Sequence, residues 1–110
     1  MIREATPTEI TLLGIELMKG AESWVAVYED STIEGHIALT WGNGVCFGHS
    51  TKCWSKDKFA ALKLWRTAKA KAKSLGFDKV TVHIPPGSTM RMFWENRGFK
   101  EVCVVMQGEI

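Results

Sequence analysis

The order of apolar and polar positions along this chain predicts a short strand, a helix, three strands, a long helix and then strand, helix, strand. Ile2 to Ala5 reads as the first strand. Thr6-Pro7-Thr8-Glu9 then opens a helix, with Thr6 as cap, Pro7 at the first helical position and Glu9 three residues after the cap. That helix is expected to run to about Lys19, end at Gly20, and bury Ile10, Leu13, Ile15 and Leu17.

Trp24-Val25-Ala26-Val27-Tyr28-Glu29 is rich in strand-forming residues. After a turn through Asp30-Ser31, Gly35 to Trp41 forms a second run of the same kind. Gly42-Asn43-Gly44 supplies tight-turn chemistry, so Val45 to His49 should fold back as a hairpin partner.

Ser50 to Trp54 reads as a loop, with Ser55 as cap of a helix from Lys56 to Leu75. Phe59, Leu62, Trp65, Ala68, Ala72 and Leu75 recur at helical spacing and should face a sheet, and Gly76 ends the helix. Lys79 to Ile84 is a strand broken by Pro85-Pro86-Gly87. A helix from Ser88 or Thr89 to Arg97 follows, and Lys100 to Met106 is the last strand. The order β-α-β-β-β-α-β-α-β predicts an α/β single domain with a central mixed sheet flanked by helices. The strand–helix–strand succession places Val45–His49 and Lys79–Ile84 as parallel neighbours.

Composition narrows the class without naming a chemistry. The 110 residues suffice for one core, and 45 % apolar with 24 % charged residues is a globular balance. No apolar run approaches a membrane span and Met1-Ile2-Arg3-Glu4 does not begin a signal peptide, which points to the cytoplasm. The three cysteines, Cys46, Cys53 and Cys103, fit a reducing compartment. Cys46, His49 and Cys53 have a zinc-like spacing, yet Cys46 and His49 fall on opposite faces of a strand and cannot share an ion there.

The net charge of +2 hides an asymmetry. Up to residue 34 the acids Glu4, Glu9, Glu16, Glu22, Glu29, Asp30 and Glu34 meet only Arg3 and Lys19. From 35 to 75, Lys52, Lys56, Lys58, Lys63, Arg66, Lys69, Lys71 and Lys73 meet only Asp57. One edge should be electropositive, suiting an anionic partner or simply presenting a solvated helix face.

The most specific string is Met92-Phe93-Trp94-Glu95-Asn96-Arg97-Gly98-Phe99-Lys100-Glu101-Val102, an amphipathic turn of helix closed by a glycine and followed by a strand. It resembles the helix–Gly-Phe–strand signature of the GNAT superfamily of N-acetyltransferases, whose element order the whole chain follows. That family usually has a second N-terminal helix and a seventh strand. Here the first helical region is compressed and the C-terminus is short, leaving an edge that favours a homodimer.

The resemblance implies acetyl-CoA as co-substrate and a primary amine as acceptor. Family members hold the pyrophosphate on backbone N–H groups at the start of the long helix, in a Gln/Arg-x-x-Gly-x-Gly/Ala motif. The matching stretch is Lys56-Asp57-Lys58-Phe59-Ala60-Ala61, in which Lys56 and Ala61 fit. Phe59 replaces the first glycine and Asp57 adds negative charge, while Lys52, Lys56 and Lys58 can offset the ligand's charge. Phe59 either blocks the pyrophosphate space or serves as a core anchor. Ser50 and Lys52, at the strand end, should help line the ligand.

In many family members a tyrosine before the Gly-Phe pair protonates the departing thiolate. Trp94 stands there and has no useful acidity. Gly87 replaces the family's asparagine, leaving Ser88 or Thr89 as hydroxyl donors. His49 and His83, at the ends of the two central strands, are the candidate general bases, with Glu29 and Glu34 beside the second turn. Tyr28, the sole tyrosine, is expected to pack in the sheet.

Two readings of function follow. One is an acetyl-CoA-dependent N-acetyltransferase acting by direct attack, with backbone N–H groups near His49–Lys52 polarising the thioester. The other is a GNAT-fold interaction or structural module that has lost catalysis, of the degenerate kind carried by phages and mobile elements. Nucleic-acid binding ranks below both, because a pI near 8.5 is modest.

Overall fold

A computed structural model describes residues 1–84, 87, 88, 90–102, 108 and 109, excluding the side chains of His49 and Ser50. The elements are β1 (Ile2–Glu4), α1 (Pro7–Leu12), β2 (Glu22–Asp30), β3 (Thr32–Gly42), β4 (Val45–Cys53), α2 (Ala60–Ser74), β5 (Thr81–Val82) and α3 (Met90–Glu95). They form one five-stranded sheet in the order β1-β2-β3-β4-β5. The first four strands pair antiparallel. β5 joins β4 in parallel, as the strand–helix–strand succession requires.

The hairpin between β3 and β4 turns on two residues, Asn43 and Gly44, both at positive φ. That backbone matches the twist of the flanking strands, and Asn and Gly adopt it with least strain. β4 runs on to Cys53, where a loop was expected, because β3 is long enough to pair with it as far as Gly35 opposite Cys53.

One face of the sheet carries Ala26, Tyr28, Ile37, Leu39 and Cys46 against Ala60, Leu64, Trp65, Ala68 and Ala72 of α2 and Trp94 of α3. Burying side chains such as Ile37, Leu39 and Leu64 contributes about 1.5–3 kcal/mol each. The opposite face has a smaller cluster, with Ile15, Val25 and Ala38 packed by Ala5, Ile10 and Leu13.

Other boundaries also differ from the sequence reading. α1 stops at Leu12, capped by Leu13, and Gly14 at φ +70° turns the chain away, so Leu17 is exposed rather than core. α2 begins at Ala60 instead of Lys56, which removes Phe59 from the buried face, and Leu75 is 37 % exposed. β5 is two residues rather than six. The expected last strand falls mostly on residues outside the described set, and Lys100 to Val102 carry no strand pairing.

Candidate functional site

β4 is held on one side by β3 along its whole length and on the other by β5 only at Phe47 and Gly48, opposite Thr81 and Val82. The approach there is close. A Cβ built on Gly48 would lie 2.7 Å from Val82 Cγ1, so only glycine fits without a shift. Just past this point the β3–β4 register slips, with Leu39 opposite Gly48 and Ala38 opposite Ser50. His49 is the extra residue of a β-bulge, which locally disrupts the ladder and bends the strand. Beyond Gly48, the β5-facing side of β4 has no strand partner among the described residues. A wedge therefore opens between the two parallel strands, with a bulge at its apex.

Beside that apex, Met18, Phe47, Gly48 and His83 line a shallow depression of about 120 Å³. His83 is exposed and stands edge-on to Phe47, ring centroids 6.0 Å apart. The sequence-predicted base His83 thus lies at the wedge. His49 is placed there by its backbone alone. Ser88 sits ahead of α3, where its Oγ accepts from Met90 N at 3.2 Å, the bond of a helix cap.

The turn that leads from β4 into α2 is built by local polar contacts. Ser55 Oγ donates to Glu34 Oε1 and accepts from Asp57 N. Asp57 Oδ1 accepts from Phe59 N at 2.9 Å, and Asp57 Oδ2 accepts from Tyr28 OH at 2.8 Å and from Lys63 Nζ at 3.0 Å. The backbone donor of Phe59, with Tyr28 and Lys63, holds the Asp57 carboxyl down at about 2. The same contact with the carboxylate, with burial, pushes the Tyr28 phenol up to about 12. Lys52, Lys56 and Lys58 are exposed around this turn, and Ala61 is half-buried in the first helical turn.

One assignment is corrected. Phe59 is no core anchor, because it is 53 % exposed, with Lys58 Nζ 5.3 Å from the ring centre. Trp94 lies in the core. It is 3 % exposed and packs edge-on with Trp65, Phe93 and Phe99, since the apolar face of α3 turns toward α2.

His36 is the residue that sequence reasoning missed. It lies on β3 opposite Lys52, is 2 % exposed, and its Nδ1 is buried without a hydrogen-bond partner. Trp54 stands edge-on to it at 6.1 Å. Burial, with the Lys52 charge adding, holds this imidazole below the usual histidine range. The only signal in the sequence was a histidine within an otherwise apolar strand.

No family model and no curated protein matches this sequence. Solved structures do. An acetyltransferase of Trypanosoma brucei superposes with a TM-score of 0.74 at 15 % identity, covering 100 % of this chain and 99 % of its own. The aminoglycoside N-acetyltransferase AAC(6')-Iy, solved with CoA, gives 0.73 at 14 % identity, over 100 % and 98 % of the two chains. A Bacillus halodurans protein described as a transcriptional regulator gives 0.71 at 15 % identity, over 100 % and 99 %. With its mixed sheet, its wedge between β4 and β5 and its helix–Gly-Phe turn, the chain has the fold of the GNAT N-acetyltransferases.

Proposed function

We propose that this chain is a small N-acetyltransferase that moves an acetyl group from acetyl-CoA to a primary amine. The observation that carries the reading is the wedge itself, a parallel strand pair that separates just where β4 bulges at His49. Backbone donors at such a break are free to bind a thioester carbonyl rather than a neighbouring strand. The fit of acetyl-CoA is uneven. The wedge suits a narrow, extended pantetheine arm, whereas Asp57 puts a carboxylate at the head of α2, where a diphosphate would be drawn.

Acetyl-CoA supplies an activated acyl group, and attack by the amine nitrogen on its carbonyl expels the CoA thiolate. His83, exposed beside the wedge, accepts the proton that the amine loses, directly or through water. Ser88 accepts from Met90 N with its oxygen, leaving its O–H able to donate toward a thiolate through water. The bulge at His49 positions the carbonyl.

A second reading has a specific observation in its favour. The sole tyrosine is committed to Asp57, and Trp94 is buried in the aromatic core, so no phenol among the described residues faces the wedge. A non-catalytic interaction module would have no need of one.

Thermal melting with acetyl-CoA, together with release of free thiol over a panel of amines from polyamines to lysine peptides, separates the two. The enzyme reading expects a melting temperature that rises with ligand and thiol release that falls at least tenfold in His83→Ala, in keeping with the ~10²-fold or more of general-base help. No stabilisation and no turnover on any amine would leave the interaction module.

A further inference from the structure

We infer that the acyl donor is held by its acyl-pantetheine arm and that its diphosphate contributes nothing to affinity, because the chain's own Asp57 carboxylate occupies the head of α2. The inference rests on the acetyl-transfer reading and specifies which part of the donor is recognised.

A helix N-terminus attracts an anion because its first N–H groups lack partners and the helix dipole is positive there. In this chain that attraction is answered in part from within. Asp57 Oδ1 takes the Phe59 N–H, and the Asp57 carbonyl takes the Ala60 N–H at 3.1 Å. The carboxylate is fixed from two further elements, by Tyr28 OH of β2 and by Lys63 Nζ one turn into α2. Ser55 secures the turn by accepting from Asp57 N while donating to Glu34 of β3. A diphosphate would have to approach a fixed negative charge and find the N–H groups of Phe59 and Ala60 already taken.

Lys52, Lys56 and Lys58 do not reverse this. They are exposed and lie in high dielectric, where attraction to a ligand charge is weak and screened by salt. Lys63, held at the helix head, is paired with Asp57 itself. Recognition thus falls to the wedge beside Gly48 and His49, which contacts the uncharged arm.

The test is isothermal titration of the wild-type protein with acetyl-CoA and with acetyl-pantetheine, in low and moderate salt, repeated on Asp57→Asn. Asparagine keeps an oxygen for Phe59 N, turns an amide N–H toward Tyr28 OH, whose oxygen can accept it, and removes the charge. We expect the two ligands to bind wild type within about threefold of each other, with little salt dependence, since no phosphate contact is made. In Asp57→Asn, acetyl-CoA should tighten by about fivefold or more and acetyl-pantetheine should be unchanged, because only the former carries charge near residue 57. Acetyl-CoA binding wild type more than about tenfold tighter than acetyl-pantetheine, in a salt-dependent way, would overturn the inference and leave acetyl transfer standing. Binding of neither ligand, with no turnover, would remove the acetyl-transfer reading and the inference with it.

Discussion

The indole of Trp94 stands at 88° to that of Trp65, ring centroids 5.3 Å apart, and so joins α3 to α2. Phe99 completes the cluster, 5.2 Å from Trp65 and 5.0 Å from Trp94. Edge-on aromatic pairs of this kind add about 0.5–1.5 kcal/mol beyond their burial. Trp94 is thus a structural rivet between the two helices.

Trp94→Tyr should accordingly lower stability by about 1–3 kcal/mol, since a smaller ring leaves a gap and brings a hydroxyl into an apolar cluster. Thiol release should not accelerate. Chemical denaturation and the thiol assay on the same preparation check both points. A variant of wild-type stability that turns over faster would place residue 94 in the wedge after all.

Gly48→Ala should cost about 1–3 kcal/mol through the clash with Val82, and strand β5 should be pushed outward. In a Val82→Ala background the same substitution should cost much less, because the clashing Cγ1 is gone. A double-mutant cycle measures this coupling. Additive effects would mean that the β4–β5 approach is looser than the geometry requires.

His36 predicts a pH dependence. Its folded pKa lies below the usual 6.5, so the unfolded chain binds more protons and stability falls as pH drops below about 6.5. The slope contributed by this group cannot exceed about 1.4 kcal/mol per pH unit. Charged neighbours on the same face are Lys52 across on β4 and, beyond Val27, Arg3 on β1. His36→Leu should flatten the dependence between pH 7 and 5, read from urea midpoints. An unchanged slope in the variant would assign the effect elsewhere.

Phe59→Ser should leave stability within about 0.5 kcal/mol of wild type, as for an ordinary surface site, because the ring is mostly in water. The melting temperature decides this directly. A loss of several degrees would mean that the ring anchors the turn into α2.

How legible these features were depended on whether their causes are local. The hairpin at Asn43-Gly44, the stop at Gly98 and the capping box of Thr6 and Glu9 are set by neighbours in sequence, and each stands in the structure as read. The start of α2 was not legible. Lys56 to Phe59 have adequate helix propensity, but Ser55 and Asp57 bond to Glu34 and Tyr28 from distant strands and hold the turn open. Gly14 ended α1 early, a local signal outweighed by the apolar spacing of Ile10, Leu13 and Leu17. The wedge was half legible. The parallel pair followed from element order, while the bulge at His49 arises from the β3–β4 register, which no periodicity reveals.

The brevity of β5 bears on how the molecule assembles and breathes. β2, β3 and β4 join neighbours through short turns and can zip together early, whereas Thr81 and Val82 must wait for α2 to span the sheet before they meet Phe47 and Gly48. Among the described strands, the wall of the wedge is thus the last pairing to form and the first to open. In hydrogen–deuterium exchange the amides of β5 should lose protection well before those of β3. A thioester arm seated in the wedge would slow them most, so that the donor completes an edge the chain alone holds only lightly.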